Sequence, residues 1–101
     1  MNIIVSGQHL KLTDALREYA IMKCRKVEKY FNGINEIKLN LAVDDTKSEG
    51  AIHSVCATIY LAGKTIRIEA EDKSLYSAID EMLDKMIRQV KKYKDMKADK
   101  K

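Results

Sequence analysis

The sequence predicts an α+β domain of order β-α-β-β-β-α, a four-stranded mixed sheet with two roughly parallel helices packed on one face. Three observations predict it. Two stretches, Asp14 to about Phe31 and Leu75 to Lys94, carry apolar residues at helical spacing. Three stretches between them alternate apolar and polar residues at the strand period. A short β-branched run, Ile3-Ile4-Val5, precedes the first helix and reads as a strand that Ser6-Gly7 ends in a turn.

The first helix starts at Thr13, whose hydroxyl can cap the unpaired N–H groups of the first turn. Its stripe is Leu16, Tyr19, Ala20, Cys24, Val27, Tyr30 and Phe31, and Asn32-Gly33 is expected to supply a left-handed stop. Lys23 falls inside that stripe, which from pattern alone reads as a lysine snorkelling out of its thin end. Arg25, Lys26 and Lys29 lie on the exposed side.

From Glu36 to Asp44, Ile37, Leu39, Leu41 and Val43 alternate with Lys38, Asn40 and Ala42. Asp45 to Gly50 is polar and reads as a mobile loop. Ile52 to Leu61 turns Val55, Ala57, Ile59 and Leu61 to one side, and Ala62-Gly63 makes a tight hairpin. Lys64 to Glu71 follows, with Ile66, Ile68 and Ala70 inward. The first helix is a crossover, so the first two strands are expected to be parallel and the last three to form an antiparallel meander. The outer sheet face, with Lys38, Asn40, Thr58, Tyr60, Thr65, Arg67 and Glu69, should be wet.

The last helix organises the chain. Leu75, Ile79, Met82, Leu83, Met86, Ile87, Val90 and Tyr93 form its buried stripe, and Ser74 stands at the cap. Asp80, Glu81 and Asp84 occupy its first half, and Lys85, Arg88, Lys91, Lys92 and Lys94 its second, in keeping with the helix dipole. Lys85, Arg88 and Lys92 share one exposed ridge. The domain is expected to span residues 1–94, with Asp95 to Lys101 a charged, frayed tail.

The 101 residues suggest one domain, and 34% of them are charged. The net charge of +4 is unevenly spread. Lys85 to Lys101 holds 8 basic and 2 acidic residues, net +6, while the other 84 residues hold 11 and 13, net −2. A basic end on a near-neutral body suits an anionic partner, or else is a solvated lysine tail. No apolar run is long enough to span a bilayer, no signal-peptide pattern opens the chain, and Cys24 and Cys56 read as reduced thiols of a cytoplasmic protein.

Catalytic chemistry finds little support. His9 and His53 have no metal-ligand spacing, four scattered glycines cannot build a phosphate loop, and Ser6, Ser54, Ser74 and Ser77 have no nucleophile context. Asp44-Asp45 with Glu49 reads as solvated loop charge rather than a cation site. No cofactor or metal is expected, which argues against a small metabolic enzyme. Side-by-side helices would instead present Lys26 and Lys29, with Arg25 beside them, next to Lys85, Arg88 and Lys92. Such a plate suits a phosphate backbone, and structured RNA rather than a specific DNA site, since no helix-turn-helix is present. The element order also matches double-stranded-RNA-binding domains in outline.

Three motifs carry a resemblance. Thr13-Asp14-Ala15-Leu16-Arg17, Lys23 with Lys26-Val27-Glu28-Lys29-Tyr30-Phe31, and above all Leu75-Tyr76-Ser77-Ala78-Ile79-Asp80 followed by Asp84-Lys85 and Arg88 to Lys94 resemble the ribosome hibernation-promoting factor family. That family is also called ribosome-associated inhibitor or sigma-54 modulation protein. The resemblance implies a non-enzymatic, ribosome-binding translation inhibitor. Its partner would be the small ribosomal subunit with its 16S rRNA, bound in the channel of messenger and transfer RNA and in competition with both. It implies RNA-binding roles for Lys23, Lys26, Lys85, Arg88, Lys92 and Lys94, and with less uniform matches for Arg25, Lys29 and Lys91. It gives Lys23 a second reading, reaching toward RNA. Ser74 stands where the family usually has an acidic residue, and either can cap the helix. The chain resembles either a short member, of the kind that acts with a separate ribosome-modulating protein, or the N-terminal domain of a long one. A general structured-RNA-binding module is the alternative that charge alone would support.

Overall fold

A computed structural model describes residues 1–44 and 50–99, the last three by backbone alone. The elements are β1 (Asn2–Gln8), α1 (Asp14–Arg25), a 3₁₀ turn (Lys26–Lys29), β2 (Ile34–Asp44), β3 (Ile52–Leu61), β4 (Lys64–Asp72) and α2 (Leu75–Asp99). The sheet order is β1-β2-β3-β4. β1 pairs parallel with β2, and β2, β3 and β4 form the antiparallel meander. The predicted α+β order, mixed sheet and helical layer are all present.

The alternation sets the layers. Ile37 lies beside Ile59 and Ile59 beside Ile66, while Leu39, Ala57 and Ile68 form the next row. All are buried beneath the helices, which contribute Leu16, Ala20, Cys24 and Val27 from the first helical segment and Ile79, Met82, Met86 and Val90 from α2. Both helices return from the C-terminal end of a strand, and β1 and β4 point the same way, so α1 and α2 run parallel. Their basic C-terminal ends therefore lie at the same end of the domain.

Several boundaries differ from expectation. β1 continues through Ser6 and Gly7, which pair with Asn40 and Leu41 rather than turning; the reversal falls one step later, at His9, with φ of 57°. The first helix tightens to 3₁₀ geometry at Lys26 instead of running to Phe31. Gly33 takes no positive φ and is not a left-handed stop. A Cβ there would lie 2.5 Å from the Phe31 ring, so glycine admits a close approach of that ring. β2 begins two residues early. The extra residue Asn35 makes a bulge between Ile34 and Glu36, which flips the phase so that Ile34 joins the core with odd-numbered Ile37 and Leu39.

Thr13 caps α1 as expected, its Oγ1 accepting from the Leu16 N–H at 3.2 Å. Ser74 Oγ accepts a longer bond, 3.5 Å, from the Ser77 N–H. Gly63 takes φ of 74° in the β3–β4 turn, a conformation that favours glycine. The backbone of α2 runs past Lys94 to Asp99, so 95–99 continue the helix. The expected loop at 45–49, with its acidic Asp45 and Glu49, and the last two lysines lie outside the described residues. Among the described residues, no helix is long and apolar enough to cross a membrane.

Candidate nucleic-acid interface

The outer surface of the two helices carries the sequence-predicted basic residues, but they are not equivalent. Lys23 leaves α1 toward α2, with its Nζ 3.3 Å from the Asp80 carboxylate and its side chain only 20% exposed. Tyr19, one turn earlier, donates its hydroxyl to the same carboxylate at 2.9 Å. Its ring meets Tyr76 edge-on, with centroids 4.7 Å apart. The Lys23 ammonium also lies 5.3 Å from the Tyr19 ring. Hydrogen bonding to Asp80, the largest cause, raises the pKa of Lys23, and burial raises that of Tyr19, with the Asp80 hydrogen bond adding to it. In this arrangement Lys23 is a tie between the helices, closer to the snorkelling reading than to an outstretched contact.

Lys85 is also engaged. Its Nζ donates to the Glu69 carbonyl on β4 at 2.9 Å and lies 3.6 Å from Glu81. Arg25 is exposed and loosely paired with Glu28 at 3.9 Å. Lys91 sits 4.7 Å from the Tyr30 ring, packing the C-terminal half of α2 against the segment that ends the first helix.

The remaining predicted residues differ. Among the described residues, Lys26, Lys29, Arg88, Lys92 and Lys94 have no acidic partner. All five are exposed. Lys26 and Lys29 project from the 3₁₀ turn that packs on α2, and Lys92 and Lys94 flank the buried Tyr93 on α2. Among the described residues, five unpaired cations thus lie along the helical layer from the 3₁₀ turn and the middle of α2 onward. Ion–dipole attraction from the C-terminus of α1 lowers the cost of placing Lys26 and Lys29 there.

The scaffold under this end is firmly joined. The Tyr93 hydroxyl donates to the Ala62 carbonyl in the β3–β4 turn at 2.9 Å, and its ring meets Phe31 edge-on at 5.5 Å. Sequence reasoning missed the partners of the basic residues: Asp80 and Tyr19 for Lys23, and the Glu69 carbonyl for Lys85. It also read Arg67 only as part of a wet sheet face, whereas Arg67 lines one depression with Lys85 and Arg88. Lys23 lies 57 positions from Asp80 in the chain, so only the helix–helix register could reveal that pair. Acidity one turn into the last helix, opposite a lysine inside an apolar stripe, was the available signal.

The sheet's outer face differs in character. Lys38 and Arg67 are balanced there by Glu36 and Glu69, each 3.9 Å from its partner. Cys56 is half-buried between Asn40 and Glu69, as its alternation implies. Cys24 is buried under α1, which pushes its thiol up to about 12.

A family model described as sigma 54 modulation protein / S30EA ribosomal protein matches residues 3–98. Over 95 residues the chain is 37% identical to a protein named ribosome hibernation promoting factor from Escherichia coli K12, covering 94% of this chain and 95% of that one. It is 34% identical over 95 residues to a protein of the same name from Pseudomonas putida KT2440, covering 94% and 88%. Its fold superposes on a ribosomal subunit interface protein from Coxiella burnetii with a TM-score of 0.84 at 27% identity, covering 94% and 99%. The N-terminal domain of Thermus thermophilus Protein Y gives a TM-score of 0.75 at 31% identity, covering 92% and 99%.

Proposed function

The chain belongs to the sigma 54 modulation protein / S30EA ribosomal protein family, and on that premise we propose that it is a ribosome-binding translation inhibitor. It binds the small ribosomal subunit through 16S rRNA, occupies the channel used by messenger and transfer RNA, and holds ribosomes in hibernation in stationary phase or stress. The names borne by its relatives support the ribosomal role. The observation that carries the binding mode is the set of Lys26, Lys29, Arg88, Lys92 and Lys94, exposed cations on the helical layer without acidic partners among the described residues.

Each would meet a phosphate, the lysines as point charges and Arg88 as a fork. Lys85 and Lys91 flank them, and Lys23 supports them by joining the helices. If each of the five neutralises one phosphate, the log–log dependence of affinity on salt should have a slope of roughly −3.5 to −4.5. The contacts position the protein without reading sequence. Acting in this way requires no reacting group, only a folded body that fills a channel.

The test is co-sedimentation with isolated small subunits across a salt series, with messenger and initiator transfer RNA as competitors. Saturable binding that the competitors displace is expected. Binding that salt erases and competitors leave untouched would reduce the protein to a general structured-RNA binder. Replacing Lys85, Arg88 and Lys92 together with Glu should abolish binding while leaving the fold intact, and a folded triple variant that still binds would remove the ridge from the interface.

A further inference from the structure

We propose that the RNA-binding surface continues around the flank of α2 onto the edge of the sheet, where Arg67, Lys85 and Arg88 form a subsite for a backbone phosphate of the same RNA chain. This rests on the ribosome-binding reading above and adds a strand residue to it.

A depression between β4 and α2 is lined by Arg67, Ile68, Glu69, Lys85, Arg88 and Gln89. β4 is the last strand of the sheet, so no further strand covers this flank. Arg67 belongs to the face turned away from the helices, opposite Thr58 on β3. At the edge, its long side chain still borders the same depression as the α2 ridge, and it is 70% exposed. Its one ion pair among the described residues, to Glu69 at 3.9 Å, is too long to be a hydrogen bond. Arg88 has no partner among the described residues, and Lys85 is held at the rim by the Glu69 carbonyl.

The donors suit a phosphodiester. Two guanidinium groups can each present a fork to one of its two unesterified oxygens, and the Gln89 amide adds a neutral donor. The lining carries three cations against one carboxylate, that of Glu69, with Glu81 paired to Lys85 at 3.6 Å from outside it, so the two arginines supply the excess charge. A phosphate entering here would compete with Glu69 for Arg67, a loose pair that costs little to break. The depression is open and exposed, so it would not retain a small free anion. A phosphate tethered to RNA already held by Lys92 and Lys94 arrives at high effective concentration, and that is what selects an RNA chain as the ligand.

The experiment measures affinity for isolated small ribosomal subunits, over a salt series, for five forms of the full chain: the unsubstituted protein, R67E, E69Q, K38E and R88E. Arg67, Glu69 and Lys38 all lie on the outer sheet face, but Lys38 lies on an interior strand, away from the depression. R67E should weaken binding about tenfold and flatten the salt slope by about one phosphate equivalent. E69Q should tighten binding about twofold to threefold by removing the competing carboxylate. K38E should stay within about twofold of the parent. R67E and K38E alike, with the slope unchanged and R88E still weakened, would overturn the subsite and leave the functional reading standing. An R88E protein that binds like the parent would overturn the subsite and take the α2 ridge out of the interface, and a parent protein that does not bind the subunits would overturn the functional reading itself. Thermal melting of each form confirms the fold, and R67Q, which removes the charge without reversing it, should fall between R67E and the parent.

Discussion

In the first half of the seam between the helices, where the last turns of α1 meet the first turns of α2, a lysine, two tyrosines and an aspartate engage one another: Lys23 with Asp80 at 3.3 Å, Tyr19 with Asp80 at 2.9 Å, and Tyr19 edge-on against Tyr76. In the second half, Lys26, Lys29, Lys92 and Lys94 find no acid at all among the described residues. Basic residues of the same kind, on the same two helices, thus do different work. The first set joins α1 to α2. The second leaves its charge unneutralised and available to a partner. Counting lysines on a helical wheel does not separate the two; the presence of an acid across the helix–helix seam does.

This contrast is open to direct attack. The largest effect is expected from reversing charge in the second half: R88E with K92E should lower affinity for small subunits by about a hundredfold or more in co-sedimentation, because two attractions become repulsions, while the melting temperature stays within about 2 °C. A large fall in melting temperature would show that these residues belong to the fold. Next, Y19F should destabilise the domain by up to about 1 kcal/mol in urea unfolding, through loss of its hydrogen bond to Asp80, and leave subunit affinity nearly unchanged. A strong affinity loss in folded Y19F would place the first half in the interface as well.

A smaller effect should appear with pH. Burial, then the Asp80 hydrogen bond, holds the Tyr19 hydroxyl above its ordinary 10.0, and the Asp80 contact holds Lys23 above its ordinary 10.5. The folded state therefore keeps both protons at pH values where the unfolded chain releases them. Their contribution is complete below about pH 10 and is lost as pH rises through the raised values. D80N should flatten that alkaline decline in the urea midpoint, and an unchanged profile would mean that Asp80 does not hold the two protons. The smallest change is expected for K91Q. The ammonium 4.7 Å from the Tyr30 ring contributes on the order of 0.5 kcal/mol at an exposed site, so the urea midpoint should move only slightly.

Much of the fold was legible because the sheet is buried on one face only. Clean alternation through Leu39, Leu41, Ala57, Ile59, Ile66 and Ile68 fixed three strands and their inward sides, and the stripe from Leu75 to Tyr93 fixed the face of α2. What stayed hidden depended on pairing at a distance. Ser6-Gly7 has turn chemistry but finds ladder partners in β2, and tertiary pairing overrides local preference. The bulge at Asn35 breaks the parity by which a strand is read, so Ile34 fell outside the predicted strand. For the proposed interface, residue type was legible and availability was not. Lys23 and Lys85 looked like Lys92 in sequence, and only the register of α1 on α2 and of α2 on β4 gave them partners.

The bond from Tyr93 to the Ala62 carbonyl bears on the thermodynamics of association. It fastens the last buried turn of α2 to the hairpin between β3 and β4, so the turns that display Arg88, Lys92 and Lys94 are ordered before any partner arrives. Binding then orders a few side-chain termini rather than a segment of chain, and most of the entropic penalty of coupled folding is absent. Calorimetry should accordingly find a small heat-capacity change on binding, because the apolar surface of this domain is already buried when it meets its target.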